Sequence, residues 1–350
     1  MNRRFWSGKR AFVTGHTGFK GSWLCAWLLE AGATVSGYAL APDADQPLFK
    51  DSGLTRDMAS TIADIRDRDA LERALRASAP DVVVHLAAQS LVRESYQRPV
   101  ETFSVNVVGT AALLQAVRAA PTVGAVVVVT SDKCYRTGPP ERRHSEEDPL
   151  GGDDPYSASK AGAEFIAASY RASFFEGKTV ATARAGNVIG GGDSSRDRLL
   201  PDLLRAFDAG RPAALRRPDA VRPWQHVLDP LAGYAALAQA LHGDVRRFAA
   251  AWNFGPPEDH ELPVSRLADL AAAAWGAPAA WHVADGEHPP ESAALRLDSA
   301  KSARDLGWRG RVPLRTAVEW TVAWHRARAG GASARELMRR DIERFEKIAT

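Results

Sequence analysis

The sequence predicts an α/β protein, built as a doubly wound parallel sheet with a smaller α/β C-terminal lobe. Three observations carry that expectation. Short apolar runs recur at residues 10–14, 34–39, 62–65, 82–86 and 125–129. Stretches of helical periodicity, such as 69–77 and 110–119, separate them. A glycine-rich turn follows the first run directly, where a strand would hand over to a helix.

Taken in order, residues 10–14 form a strand, Gly15-His16-Thr17-Gly18-Phe19-Lys20-Gly21 the turn and 22–31 a helix. The later runs repeat strand and helix at a spacing that admits right-handed crossovers, as a parallel sheet requires. This is the pattern of a Rossmann sheet. Tyr156 and Lys160 lie on a helix reaching to about residue 174, and 179–184 is a further strand. The texture then changes. Gly190-Gly191-Gly192-Asp193, Arg211-Pro212 and residues 216–223 are loop-rich, and a short helix over 201–209 opens at its proline. Residues 226–241, 266–275 and 312–329 read as helices and 251–254 as a strand. The expected division is a dinucleotide-binding domain over 1–184, with a return segment near 221–256, and a substrate-binding domain made mainly of 185–350.

Composition narrows the class. A chain of 350 residues with 45% hydrophobic content can bury an enzyme-sized core. Its 45 basic and 42 acidic residues are interspersed, so no single-sign field favours nucleic acid or a membrane surface. The interleaved charges of 335–344 read as a solvated helix face. No apolar run approaches the roughly 18 residues of a membrane span, and Lys9 and Arg10 interrupt any export signal. Two cysteines, Cys25 and Cys134, fall in apolar segments, which suits a reducing compartment. The expectation is a cytoplasmic protein. The isolated histidines, His144, His242 and His325, are placed on the surface, and no spacing suggests a metal site.

Gly15, Gly18 and Gly21 sit where small residues let a pyrophosphate approach a helix N-terminus. A glycine triplet alone also fits an ordinary tight turn, but its place in the first crossover favours a dinucleotide. The end of the second strand, Tyr38-Ala39-Leu40-Ala41-Pro42-Asp43, offers an acid for a ribose only beyond a proline, and no arginine for a 2′-phosphate. NAD is therefore favoured over NADP, with Asp64 and Ile65 placed to meet adenine. Tyr156 and Lys160 are four apart and share a helix face. A free tyrosine titrates near ~10, and a neighbouring ammonium favours the phenolate, giving a base for a sugar hydroxyl. By itself this is a common surface spacing; the upstream glycine turn and a strand ending in Thr130-Ser131 make it a redox dyad.

These motifs resemble the extended short-chain dehydrogenase/reductase family that acts on nucleotide sugars. The resemblance rests on the glycine turn, His85-Leu86-Ala87-Ala88-Gln89, Asn106-Val107-Val108-Gly109-Thr110 and Tyr156-x-x-x-Lys160. It narrows to the dehydratase branch that takes CDP-glucose, through Gly15-His16-Thr17-Gly18-Phe19-Lys20-Gly21-Ser22-Trp23-Leu24, Thr130-Ser131-Asp132-Lys133-Cys134-Tyr135, the 185–193 segment and Arg222-Pro223-Trp224-Gln225-His226-Val227. The resemblance implies that Gly15, Thr17, Gly18, Phe19, Gly21, Asp64, Ile65, Leu86, Ala87, Ala88, Asn106, Tyr156 and Lys160 bind NAD. Tyr156 would take the C4 hydroxyl proton, Lys160 hold the nicotinamide ribose and lower the tyrosine pKa, and Ser131 bond the same oxygen. Asp132 would be the acid at the C6 hydroxyl. Lys133 stands where related dTDP-glucose dehydratases carry a glutamate, and either takes the C5 proton as a neutral amine or stabilises the enolate as a cation. Gln89, Asn187, Arg198 and Arg222 would hold the substrate, Arg222 meeting the diphosphate.

The implied activity is a lyase: oxidation at C4, loss of water across C5 and C6, and hydride return to C6. A 4-epimerase of the same fold has no use for an acid and a base at Asp132 and Lys133. A redox-inactive nucleotide-binding module has no use for Tyr156, Lys160 and Ser131. The resemblance also implies a homodimer, joined through the helices beginning near Glu101 and Tyr156.

Overall fold

In the computed structural model, residues 1–139, 142–175, 179–286 and 294–348 are described. Their strands are β1 (Arg10–Thr14), β2 (Thr34–Ala39), β3 (Ala59–Ile62), β4 (Val82–His85), β5 (Ala125–Val129), β6 (Thr179–Ala185), β7 (Val188–Ile189), β8 (Ala213–Leu215), β9 (Val221–Pro223), β10 (Gln225–His226), β11 (Ala251–Phe254), β12 (Glu261–Pro263) and β13 (Trp281–Val283). Seven form one sheet in the order β3-β2-β1-β4-β5-β6-β11, and every pair in it is parallel.

The central strands are buried on both faces, which is why β4 and β5 read as unbroken apolar runs rather than alternating ones. Their side chains still sort by the period of two. Val82 and Val84 join Ala125, Val127 and Val129 in the core on one face, whereas Val83 joins Val126 and Val128 on the other. The first core receives Trp23, Leu24 and Trp27 from the helix Phe19–Glu30 and Leu231, Tyr234 and Leu237 from the helix Leu228–Gly243. The second receives Leu71 and Leu75 from Arg68–Ser78 and Leu113, Leu114 and Val117 from Gly109–Arg118. Beyond β6 the short strands pair locally, β7 with β10, β9 with β12 and β8 with β13. They shape one wall of a cleft over the carboxyl ends of the sheet.

Several boundaries differ from the sequence expectation. The third strand lies at Ala59–Ile62, not at 62–65. It is an exposed edge strand of polar composition, whereas Ile65 has left the sheet to pack with Phe12, Tyr38 and Leu71, so its apolarity marks a core contact. The helix expected at Pro201 begins at Leu199, since proline is tolerated among the first-turn positions whose N–H groups lack intrahelical acceptors. The helix expected from His226 begins at Leu228, because Gln225 and His226 pair with β7. His144 is not on the surface: it is buried, its ring stacked 4.7 Å from that of Tyr135. The run Pro99–Arg118 is also long and apolar enough, by length and composition, to cross a membrane. Its inner face is built into the domain through Asn106, Thr110 and Leu113, and it is π-helical over Ser104–Val108. Cys25 and Cys134 are both buried and unpaired.

Trp23 ties the two walls together. It is fully buried, and its Nε1 donates to the Gly191 carbonyl at 2.9 Å. Gly191 has no alternative at that position, because a Cβ there would lie 2.1 Å from the Trp324 ring. Trp23→Phe leaves that carbonyl unsatisfied in the core and is expected to destabilise the protein by about 1–3 kcal/mol. A shift of the urea-unfolding midpoint to lower concentration is the measurement; an unchanged midpoint contradicts the assignment.

Candidate active site

The sheet reverses its winding between β1 and β4, the switch point at which open α/β sheets bind ligands. A cleft of about 2000 Å³ lies there. Two constraints hold its floor. Gly15 has φ +73°, and a Cβ on it would lie 2.6 Å from the Ala87 nitrogen, so the loops after β1 and β4 meet there only through glycine. A Cβ on Gly21 would lie 2.1 Å from the Gly15 carbonyl oxygen, which fixes the turn against the first helical turn. Gly18 is the N-cap of the helix Phe19–Glu30, so unpaired helical N–H groups open on the cleft. This cradle fits a dinucleotide pyrophosphate.

The other expected cofactor residues surround it. Gly15, Thr17, Gly18, Phe19, Gly21, Asp64, Ile65, Leu86, Ala87 and Ala88 all line the cleft. Thr17 Oγ1 donates to the Leu40 carbonyl at 3.0 Å. The Asp64 carboxylate, bonded by Arg66, is held below the usual carboxylate range. Asn106 is different. It is buried and does not line the cleft; its amide accepts from the Gln89 N–H and donates to the Gln89 carbonyl and Ser159 Oγ. It serves the site by bracing the loop after β4 against the tyrosine helix, Pro155–Phe174. The Gln89 amide is likewise spent on Leu91 and Thr102, so Gln89 lines the cleft with its side-chain donors already engaged.

The chemistry-bearing residues converge at the ends of β5 and the tyrosine helix. Ser131 caps a single 3₁₀ turn, Asp132–Cys134, that follows β5. Its Oγ donates to Asp132 Oδ1 at 3.0 Å and accepts from the Lys133 N–H at 3.2 Å. Asp132 is buried, and its Oδ2 has no hydrogen-bond partner among the described residues. Lys133 Nζ lies 3.6 Å from Asp132 Oδ1 and is partly exposed. Tyr156 and Lys160 are both buried and line the same cleft. Burial pushes the Tyr156 phenol up to about 12, and its hydrogen bond with Ser131 acts in the opposite direction. Burial pulls the Lys160 ammonium down to about 8, while its Nζ donates to the Val129 carbonyl at 3.3 Å. The Ser131 hydroxyl and the charge of Arg198 are the groups that act towards the phenolate.

Of the expected substrate residues, Asn187, Arg198 and Arg222 line the cleft. Arg198 is paired to Asp193 at 3.2 Å, and Arg222 is buried at the β9–β12 pair. Two groups escaped the sequence reading. Lys20, inside the glycine turn, reaches the cleft with its pKa drawn down to about 7 by burial and by the charges of Arg198 and Lys160. Glu164 stands one helical turn beyond Lys160, and extending the Tyr156–Lys160 spacing by one step would have found it. Among the described residues, no group of three His, Cys, Asp or Glu side chains is disposed to hold a metal.

Comparison with known proteins agrees with this geometry. The model of the family described as the NAD dependent epimerase/dehydratase family matches residues 11–251. A CDP-glucose 4,6-dehydratase of Salmonella typhimurium is 44% identical over an alignment of 358 residues, covering 100% of this chain and 99% of that protein. A UDP-glucose 4-epimerase of Yersinia pestis is 30% identical over 320 residues, covering 85% of this chain and 91% of its own length. The crystal structure of DesIV, a dTDP-glucose 4,6-dehydratase from Streptomyces venezuelae with NAD and TYD bound, superposes with a TM-score of 0.81 at 27% identity, over 92% of this chain and 98% of that one.

The buried lysine makes stability depend on pH. The folded-state pKa of Lys160, about 8, lies below its ordinary 10.5, so between these values the folded protein binds fewer protons than the unfolded chain. Stability therefore rises with pH through that window, and the penalty of burying the ammonium is fully present below about pH 8. Lys160→Met is expected to be more stable than the parent at pH 7 by up to about 3 kcal/mol. Urea unfolding at pH 7 and pH 10 should show that advantage shrinking as the solution becomes alkaline; an advantage independent of pH contradicts the assignment.

Proposed function

We propose that this chain, which belongs to the NAD dependent epimerase/dehydratase family, converts CDP-D-glucose to CDP-4-dehydro-6-deoxy-D-glucose and water using bound NAD. The observation that carries the reading is the Asp132–Lys133 pair. A buried carboxylate oxygen without a partner and an amine 3.6 Å from its sister oxygen are presented in the same turn as Ser131, beside Tyr156. A 4-epimerase needs only the redox residues; removal of water needs an acid and a base as well. Full-length 44% identity to the Salmonella dehydratase supports the same choice.

Bound NAD supplies an acceptor for the C4 hydride and later returns it to C6. The chain's own residues handle the protons. Tyr156 Oη takes the C4 hydroxyl proton, with Ser131 Oγ holding that oxygen. The resulting ketone acidifies C5–H, and Lys133 Nζ, as a neutral amine, takes that proton and gives it back to C5 when hydride returns to C6. Asp132, carrying a proton on Oδ2 in this step, gives it to the C6 hydroxyl, which departs as water. The glycine turn, with Thr17, Phe19 and the loops ending in Asp64, Ile65, Leu86, Ala87 and Ala88, cradles the dinucleotide. Lys160 would hold its ribose. Arg222, Arg198 and Asn187 meet the substrate's diphosphate and sugar, the guanidinium of Arg222 suiting phosphate oxygens bidentately.

The active form in this reading is a homodimer in the cytoplasm. Val100, Phe103, Val108 and Phe165 stand exposed on the run Pro99–Arg118 and on the tyrosine helix packed beside it, an apolar face that a second copy would cover. Two buried unpaired thiols fit a reducing compartment.

Mass spectrometry of the purified protein with NAD and CDP-glucose should show a product lighter by one water, with UDP-, dTDP- and GDP-sugars unchanged in parallel. An unchanged mass with inverted C4 by NMR would identify an epimerase instead. Lys133→Ala should slow elimination more than C4 oxidation, seen as reduced-nicotinamide absorbance that accumulates in single turnover; equal slowing of both steps removes Lys133 from C5. Light scattering should report a dimer, and Val100→Asp combined with Phe165→Asp should shift it towards monomer. A monomeric parent contradicts the dimer.

A further inference from the structure

The turn that carries Ser131, Asp132 and Lys133 is gripped at both ends by one buried ion pair. Glu164 and Arg184 are both nearly fully buried. The Glu164 carboxylate accepts four hydrogen bonds, two at each oxygen. Oε1 takes Thr130 Oγ1 at 2.5 Å and Arg184 Nε at 3.0 Å. Oε2 takes Thr182 Oγ1 at 2.7 Å and Arg184 Nη2 at 2.8 Å. Thr130 immediately precedes Ser131. Arg184 then reaches past the turn: its Nη1 donates to Tyr135 Oη at 2.8 Å, and Tyr135 Oη donates to Asn253 Oδ1 at 2.6 Å. Tyr135 immediately follows Cys134, and its ring stacks on His144. Thus Thr130 and Tyr135, the residues flanking 131–134, hang from the same pair.

Glu164 also lies on the helix that bears Tyr156 and Lys160, at the next four-residue step. The pair therefore couples the helix of the redox residues to the turn of the acid and base. Sheet stability alone does not call for it. The register of β5 against β6 is already fixed by parallel pairing from Ala125 to Val129 and by the Thr130 N–H bonded to the Ala183 carbonyl. A buried ion pair is in general no more stabilising than well-packed apolar side chains of the same volume. What it supplies is direction, because a saturated carboxylate and a planar guanidinium hold three particular hydroxyls, those of Thr130, Thr182 and Tyr135, in fixed places.

We infer that Glu164 and Arg184 are positioning residues for the elimination half of the reaction, acting through Thr130 and Tyr135 to set Asp132 and Lys133 against C5 and C6. The inference rests on the dehydratase reading above. Replacing Glu164 itself would strand a buried guanidinium, so the tethers are cut instead. Thr130→Val and Tyr135→Phe keep shape and ring stacking and leave the ion pair intact. Each is expected to lower kcat on CDP-glucose by about 10- to 100-fold, the scale of an ångström-sized misplacement of reacting groups, with KM changed by less than about twofold. Stopped-flow absorbance should show reduced nicotinamide accumulating in both variants, because oxidation at C4 proceeds while elimination lags. Thr130→Ser, which restores the hydroxyl, should return kcat to within a few fold of the parent.

Variants with parental kcat and no accumulation overturn the positioning role while leaving the dehydratase reading intact. So does equal slowing of oxidation and elimination, or a Thr130→Ser variant as impaired as Thr130→Val. Failure of the parent itself to release water from CDP-glucose overturns the reading and this inference together.

Discussion

A parallel sheet obliges the chain to return to the same edge before each new strand, so the loops that leave β1, β4, β5 and β6 all emerge together on the opposite side. Everything the protein does follows from that constraint. The glycine turn after β1, the loop after β4, the acid and base after β5 and the 186–193 segment after β6 are far apart in the chain, yet they line one cleft. Reversal of the winding between β1 and β4 keeps the floor of that cleft open, and Gly15 lets its two sides come within van der Waals range.

Burial then governs the chemistry of the groups brought there. Desolvation disfavours charge on three of them: it raises the phenol of Tyr156 and lowers the ammonium groups of Lys160 and Lys20. It also holds His85 neutral, with a pKa near 3, in a hydrogen-bonded line from Thr14 to Thr110 that spaces β1, β4 and the adjoining helix. The site is not left to pay this penalty unsupported. Glu164 and Arg184, joined by the Thr130 and Thr182 hydroxyls, are satisfied beneath it, and Asn106 bonds the Gln89 backbone at its rim. Asp132 Oδ2 remains the unsatisfied buried atom among the reactive groups, where a substrate hydroxyl would complete it.

The same scaffold serves both epimerases and dehydratases, as the 30% identity to a UDP-glucose 4-epimerase illustrates. In the reading proposed above, the residues that add dehydration to the redox chemistry follow β5, and these depend on a support that lies outside the motif. Ser131, Asp132 and Lys133 bond to one another within a single turn. Their orientation towards the cleft, however, is inherited from Thr130 and Tyr135 and through them from strand β6 and the tyrosine helix.

Local pattern sufficed for much of this. The apolar runs of β1, β4 and β5 and the glycines at 15 and 21 were legible because burial on both faces and steric crowding narrow the residue types those positions accept. The four-residue spacing of Tyr156 and Lys160 was legible because helix periodicity is local. Edge strand β3 was misplaced, since pairing with one neighbour and exposure to water leave no apolar signature. The burial of His144, the internal engagement of Gln89 and Asn106 and the Glu164–Arg184 clamp were decided by the tertiary structure. Each depends on partners in other elements of the fold, such as Tyr135 with Asn253 or Glu164 with Thr130, and contacts between separate elements impose no periodicity on either one.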